Sequence, residues 1–369
     1  MTLIEKIANY ESKIRNYIGI FPPHFISFIY SNSRKIFLKN LAKSKFSLVK
    51  LPTDLKVKLW DIEFNNSIFN AAGMFKDGIG YELCYKMGAG AFLAGTTTYN
   101  MRLGNKKKLI LHPFMPYPYS KAASNWMGLP NKGHEAVANI LKKIEKRKGC
   151  PVGISVSFDN DKYEQYGMYE GLKVYEKANV DFIELNESCP NVEHNSDEKK
   201  VGLVAQSLID RLEFISKFFI KKCNRNIPII VKFSNDTKIE VIPALIDILV
   251  DLKFSGINFG NTSVNYGEYI NNIDEKDKKL FLYFTQTFGG GLSGEILKNT
   301  SLNLCAEAIK YIKNKNLQNE FHCIRTGGIS SLDDIIISKN NGILLNEWFT
   351  GFFDNFAKNG FNVYKLLFK

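Results

Sequence analysis

Phe182-Ile-Glu-Leu-Asn-Glu-Ser-Cys-Pro-Asn191 is the stretch on which the fold turns. Asp181 to Leu185 is short and largely apolar, the pattern of a strand buried on both faces of a parallel sheet. Asn186, Ser188, Cys189 and Asn191 then crowd into six positions, and Pro190 blocks continuation of the strand. In alternating α/β proteins ligands sit beyond the carboxyl ends of the strands, so chemistry is expected here. Two amides present both donors and acceptors, and a thiol can act as base or nucleophile. Taken alone, the same residues read equally well as a strand-end turn around a buried free cysteine.

Working outward, the chain repeats this handover. Strand-like runs fall at Ile68–Ala72, Ala91–Gly95, Val152–Val156, Asp181–Leu185, Pro228–Phe233, Gly256–Gly260, His322–Thr326 and Ile343–Asn346. Helical patterns lie between them at Lys132–Lys148, Lys162–Lys177, Ala205–Lys221, Ile239–Leu252 and Ser301–Lys313. Eight strand-plus-helix units predict an α/β fold, a (β/α)8 TIM barrel over residues 51–369. An open doubly wound sheet is the alternative, but no Gly-x-Gly-x-x-Gly follows the first strand. Lys56 to Phe64 reads as a hairpin closing one end. Two connections, Thr97–Asn131 and Asn261–Leu297, are too long for plain loops, and long insertions on this face cover or line a site.

Residues 1–50 form a separate unit, a basic, amphipathic helical extension. It carries nine Lys and Arg against two acids, Glu5 and Glu11. Ile18 to Tyr30 is apolar and broken at Pro22 and Pro23, which predicts two short helices joined at a proline corner, the second running on through Leu41. Aromatic and aliphatic residues flanked by lysines suit a bilayer surface, and equally suit packing on the barrel. No run of about eighteen uncharged apolar residues is present, so no transmembrane helix is expected, and the first residues lack a signal-peptide pattern. Six scattered cysteines without a Cys-x-x-Cys pair argue for reduced thiols, and five unclustered histidines against a catalytic metal. The net charge of +12 fits nucleic acid, an anionic membrane or a lysine-rich background.

Every expected strand ends in small or polar residues: Ala71-Ala-Gly-Met-Phe-Lys-Asp-Gly78, Gly95-Thr-Thr-Thr98, Ser155, Asn186 to Asn191, Lys232, Gly260-Asn-Thr-Ser263, Thr326-Gly-Gly-Ile-Ser330 and Phe349-Thr350. The insertions add Asn125-Trp-Met-Gly-Leu-Pro-Asn131 and Gly290-Gly-Leu-Ser-Gly294. Amides suit a flat polar heterocycle, and glycine turns running into helices suit a phosphate. A lysine inside a barrel strand, Lys232, needs a charged partner, either a ligand or a neighbouring acid.

In order and spacing these segments resemble the dihydroorotate dehydrogenases, flavin enzymes of pyrimidine synthesis, over roughly residues 57 to 355. The resemblance implies FMN contacts from Ala72, Gly73, Met74, Phe75, Lys76, Thr96, Ser155, Asn186 and Lys232. On the phosphate side it implies Gly260, Gly294, Gly327, Gly328, Phe349 and Thr350. Substrate contacts would come from Lys76, Asn125, Trp126, Met127, Gly128, Leu129, Asn186, Asn191, Asn261 and Thr262. Cys189 occupies the position of the catalytic base, which takes a proton from C5 of dihydroorotate while flavin N5 takes the hydride, leaving orotate.

The family has soluble members with a cysteine base and membrane-bound, quinone-reducing members with a serine base. Cys189, Ser155 and Met127-Gly-Leu-Pro-Asn131 resemble the first group. Lys76, Gly95, Asn261-Thr-Ser263, Gly290 to Gly294 and the N-terminal extension resemble the second. The resemblance therefore implies a quinone as electron acceptor, with fumarate as the alternative, and either peripheral contact with the cytoplasmic side of a membrane through residues 1–50 or a cytoplasmic protein. The segment after Asn191 matches neither group. A flavin-dependent tRNA dihydrouridine synthase shares the barrel and the Asn-x-x-Cys-Pro motif, but Gly290 to Gly294 and the absence of an added RNA domain oppose it, so no nucleic-acid partner is expected. A non-catalytic binding descendant is opposed by the presence of base, lysines and amides together.

Overall fold

The computed structural model describes residues 1–159, 164–187, 204–315 and 317–369, together with the backbone of 200–201. Eight parallel strands form one sheet: β1 (Ile68–Asn70), β2 (Phe92–Thr97), β3 (Val152–Val156), β4 (Phe182–Asn186), β5 (Ile229–Ser234), β6 (Gly256–Asn261), β7 (His322–Thr326) and β8 (Leu345–Trp348). Their order around the sheet is β1-β8-β7-β6-β5-β4-β3-β2, a (β/α)8 barrel. The eight expected strands all form, with ends shifted by two residues at most. Both faces of these strands are buried, so apolar runs such as Ile229-Ile-Val rather than alternation mark them.

The barrel closes between β1 and β2 through a side chain. Asn70, fully buried, donates from Nδ2 to the Leu93 carbonyl at 2.7 Å, and its Oδ1 accepts from the Leu93 amide at 3.2 Å. Gly73 N donates to Gly95 O at 2.7 Å just beyond, and Phe75 bridges Ala94. One asparagine thus stands in for a ladder at the seam. The hairpin Val57–Leu59 with Ile62–Phe64 closes the amino-terminal end, where Leu59, Trp60 and Phe64 pack on Phe69, Leu93, Phe182 and Ile230.

The two long insertions meet over the other end. Phe114–Tyr117 and Ala122–Asn125 from the first pair antiparallel, and Gly291–Gly294 from the second adds a third strand. A Cβ at Gly291 would lie 1.7 Å from Thr262 Oγ1, so only glycine lets this strand approach β6's end. The helix Glu275–Thr287 backs the small sheet, and Ile18 and Ile26 of the N-terminal segment enter the same apolar cluster with Met115, Tyr117, Phe281 and Leu292.

The N-terminal segment forms α1 (Leu3–Ile14), a 3₁₀ turn, and α2 (Pro23–Leu41), with Pro22 and Pro23 opening the second helix. The helices dock on the last barrel helix, Thr350–Asn359. Asn9 Nδ2 donates to Ala357 O at 3.1 Å, Arg15 pairs with Asp354, and Phe37 packs edge-on against Phe353 and Phe356. No described helix is long and apolar enough to cross a membrane.

One expected element differs. The helix expected over Lys132–Lys148 stops at Leu141. Tyr81 Oη accepts from the Arg147 amide at 2.6 Å and donates to Cys150 O at 3.0 Å, holding the lysine-rich remainder in a turn.

Asn70→Ala strands the Leu93 N–H and C=O, and an unsatisfied buried group costs about 1–3 kcal/mol. Urea unfolding is expected to show a loss of about 2–4 kcal/mol relative to wild type. An unchanged midpoint would mean that the seam does not rely on this side chain.

Candidate active site

The carboxyl ends of the barrel strands surround a cleft of about 150 Å³, partly open to solvent. Its floor is polar and deeply buried. Lys232 on β5 donates to Glu347 Oε2 on β8 at 2.7 Å and lies 3.3 Å from Glu184 Oε2 on β4. Asn258 on β6 spans both acids, its Nδ2 donating to Glu184 Oε2 at 2.9 Å and to Glu347 Oε1 at 3.1 Å. Thr326 Oγ1 on β7 lies 2.9 Å from Asn258 Oδ1 and 3.0 Å from Glu347 Oε2. All five are at most 6 % exposed.

Burial works against the Lys232 ammonium, yet Glu184 and Glu347 outweigh it and its pKa is raised. Burial, then the charge of Glu184, pushes Glu347 up to about 8. Lys232 thus has the neighbouring acids that its sequence position allowed for, and it lines the cleft as well.

A second chain of polar groups runs round one wall. Asn261 Nδ2 donates to Asn186 Oδ1 at 2.6 Å, Asn186 Nδ2 donates to Thr96 Oγ1 at 3.2 Å, and Thr96 Oγ1 lies 2.9 Å from Ser155 Oγ. These hydrogen bonds fix the amide orientations, leaving donors and acceptors side by side for a flat heterocycle. Gly73 takes φ +94°, and a Cβ there would meet nothing nearer than Phe349 at 3.9 Å, so the floor at β1 is flat and open. Across the cleft, Lys76 Nζ lies 3.4 Å from the sulfur of Met127.

Gly327, Gly328, Thr350 and Gly351 line the far end, the last two in the first turn of a helix, where backbone amides favour an anion. That end also holds a carboxylate. Glu295 accepts from Ser330 Oγ at 2.7 Å and pairs with Lys121 at 3.3 Å.

An apolar cavity of about 330 Å³ adjoins the cleft between α1, α2 and the small sheet. Ile4, Ile7, Ala8, Phe37, Phe114 and Pro116 line it, and Lys121, Phe349, Thr350 and Asp354 border both spaces. Among the described residues three cations stand in its wall, Arg15, Arg34 and Lys121. Arg34 on α2 places Nη2 3.2 Å from Met127 Sδ and its guanidinium 5.6 Å from the Phe114 ring, while its buried Nε and Nη1 have no hydrogen-bond partner. Burial lowers its pKa to about 10.

Most residues singled out from the sequence converge here. Ala72, Gly73, Lys76, Thr96, Asn186, Lys232, Gly260, Gly294, Gly327, Gly328, Phe349 and Thr350 line the cleft, as do Asn125, Met127, Leu129, Asn261 and Thr262. Ser155 reaches it only through Thr96. The side chains of Met74 and Phe75 turn away into the apolar layer between strands and helices, Trp126 packs on Phe288 at 6.4 Å, and Gly128 does not line the cleft. Cys189 and Asn191 lie outside the described residues. Sequence reasoning missed Glu184, Glu347, Arg34, Lys121 and Glu295. The signal for the first two was present, a lone acid in the middle of an apolar strand at Phe182-Ile-Glu-Leu and Leu345-Asn-Glu-Trp.

The sequence profile of dihydroorotate dehydrogenase matches residues 54–357. The chain is 27 % identical to the dihydroorotate dehydrogenase (quinone) of Trichodesmium erythraeum over 303 residues, 81 % of this chain and 75 % of that one. It is 26 % identical to the dihydroorotate dehydrogenase (quinone) of Christiangramia forsetii over 350 residues, covering 93 % and 94 %. A ligand-free crystal structure of the enzyme from Eimeria tenella superposes with a TM-score of 0.72 at 19 % identity, over 91 % of each chain, and a complex of that enzyme with ferulenol gives 0.68 at 21 %, over 90 % of this chain and 88 % of that one. The chain, with its barrel, its cleft at the strand ends and a profile match over most of its length, belongs to the dihydroorotate dehydrogenase family of oxidoreductases.

Proposed function

We propose that the chain oxidises dihydroorotate to orotate with FMN in the cleft and passes the electrons to a quinone. The observation that carries this reading is the pair of abutting cavities, one polar and flat-floored, the other apolar, with Phe349 and Thr350 between them. When bound, FMN supplies a hydride acceptor at N5. Ala72 and Gly73 give it a flat bed, Lys232 faces it with a positive charge, and the Gly327-Gly328 turn with the helix starting at Thr350 receives its phosphate. Asn125, Asn186, Asn261 and Thr262 hold the substrate's alternating donors and acceptors, and Lys76 its carboxylate.

Cys189, three residues beyond Asn186, acts as the base that removes the C5 proton, on the strength of its motif. A thiol has an ordinary pKa of about 8.5, so turnover is expected to rise toward alkaline pH.

The apolar cavity favours a quinone over fumarate, a small dianion that would gain nothing from Ile7, Phe37 and Phe114. Arg34 supplies a polar anchor there, since its free Nε–H and Nη1–H would be satisfied by a quinone oxygen. The outer face of α1 and α2 fits contact with the membrane that stores such a molecule. Leu3, Ile20 and Ile36 are 74 %, 75 % and 62 % exposed, with Phe21, Phe25 and Phe28 beside them and Lys6, Lys13, Lys35 and Lys39 around the rim.

Under anaerobic conditions dihydroorotate is expected to bleach the flavin, and a short-chain quinone, but not fumarate, to restore the colour; the reverse pattern would reject the acceptor, and no bleaching would reject the substrate. Cys189→Ala is expected to keep FMN but slow bleaching by about 10²–10⁴-fold, the usual worth of a general base. Arg34→Leu should leave bleaching by dihydroorotate unchanged and raise the KM for quinone by about tenfold, the equivalent of one buried hydrogen bond to a charge; an unaltered KM would remove Arg34 from the acceptor site. Sedimentation with anionic vesicles should carry the wild type down, more weakly when Ile20 and Phe21 are both replaced by Ser. Recovery in the supernatant would confine α1 and α2 to packing.

A further inference from the structure

The floor of the cleft holds two carboxyl groups against one ammonium. Glu184, Lys232 and Glu347 come from three different strands, and every one is at most 3 % exposed. Asn258 and Thr326, which face the cluster from β6 and β7, are neutral, and Arg325, the nearest other cation on these strands, points away to Ser301, Ser338 and the Lys298 carbonyl. With both acids ionised the cluster would carry a net negative charge away from water, which is costly unless it is removed by a proton.

The two acids accept from the same two donors, which brings both carboxyls to one place. The Asn258 amide reaches one oxygen of each acid, at 2.9 and 3.1 Å, and Lys232 reaches both acids from the other side.

We propose that Glu184 and Glu347 hold one proton between them at neutral pH, and that this carboxyl pair, rather than Lys232, is the group under the cleft that takes up or releases a proton when the charge of a bound ring changes. With the proton in place the cluster is electroneutral: one ammonium, one carboxylate, one carboxylic acid. Negative charge placed above Lys232 tightens the pair's hold on its proton, so at mildly alkaline pH, where the pair has partly lost it, the pair takes a proton back from water as that charge appears. Loss of the proton at high pH leaves a negative floor that opposes further negative charge. Glu347 is here a positioning residue that acts through Lys232. The upward shift of Glu347 to about 8 agrees with this arrangement. The coupling to a bound ring rests on the FMN reading above; the shared proton does not.

The test is an infrared titration of the full-length protein without flavin, following the carbonyl band of a protonated carboxylic acid in wild type, Glu347→Gln and Glu184→Gln. The band is expected in wild type at pH 6–7, to fade as pH rises through about 8, and to be missing from both variants, because either leaves one carboxylate facing one ammonium. A band lost in only one variant would place the proton on a single acid, and a band absent from wild type at pH 6 would show that both acids are charged; either overturns the proposal. Linkage gives a second reading on the same proteins. A carboxyl whose pKa is raised on folding, from 4.5 to about 8, stabilises fully below 4.5 and loses that contribution as pH rises to about 8. Urea midpoints of wild type should therefore fall across that window more steeply than those of Glu347→Gln, and parallel curves would count against the shared proton. In the flavin-loaded protein, the midpoint potential of wild type should drop more steeply with pH at mildly alkaline pH than that of Glu347→Gln. Equal slopes would overturn the coupling while leaving the infrared result standing, and failure of the wild type to bind FMN would instead reject the assigned cofactor.

Discussion

The position of Lys232 constrains the rest of the site. An ammonium only 3 % exposed on the fifth strand is largely stripped of water, and breaking a buried pair by removing one partner costs about 3–5 kcal/mol. The barrel meets this with Glu184 and Glu347 on two other strands and with Asn258 and Thr326 between them. Because these partners sit on β4, β6, β7 and β8, the network ties half the barrel's circumference to one side chain. Polar interiors of this kind are favourable only when every member is satisfied, and here each named group has a partner. The result is a charged but rigid floor, fixed by strands rather than loops, beneath a cleft whose walls are built from less regular segments.

Above that floor the molecule is layered. Strand ends supply Asn186, Thr96 and Asn261, held in one hydrogen-bonded chain. The two insertions supply a small sheet that roofs the cleft, and the N-terminal helices cover the roof's outer edge, leaving an apolar space beneath them. Met127 lies where the layers meet, its sulfur near Lys76 on one side and Arg34 on the other. A soft, flexible thioether between two cations is a weak acceptor for both and repels neither.

The barrel was legible because buried parallel strands leave unbroken apolar runs, and each of these handed over to Gly, Asn, Ser or Thr. Glycine-rich ends such as Thr326-Gly-Gly and strand-end amides such as Asn186 were legible for the same reason. What could not be read was pairing across distance. Nothing local links Glu347 to Lys232, which lie 115 residues apart, or brings Arg34 to Met127, 93 residues apart. The expected helix over Lys132–Lys148 failed for a related cause, since the tyrosine that captures its second half is Tyr81, in a different unit. Met74 and Phe75 stood in a motif whose backbone borders the cleft, yet their apolar side chains had better partners in the apolar layer between strands and helices, Phe75 against the Phe92 ring at 5.8 Å. For residues 1–50, the choice between packing on the barrel and presenting an apolar face proved not to be exclusive: α1 and α2 bury Ile4, Ala8, Ile26 and Leu41 and leave a different set of apolar residues outside.

The docking of α1 on the last barrel helix has a consequence for how the chain is made. The hydrogen bond from Asn9 to Ala357 spans 348 residues, and that from Ser293 to Ala123 spans 170. Synthesis runs from the N-terminus, so α1 and α2 emerge before the barrel and wait for residues some 348 positions further on before their resting place is formed. Contacts so distant in sequence are slow to form, and throughout that interval the inner and outer apolar faces of the two helices are both bare. For a nascent chain, such a hairpin is a sticky surface that reaches water ahead of the barrel, open to a chaperone or a nearby bilayer well before the barrel behind it is finished.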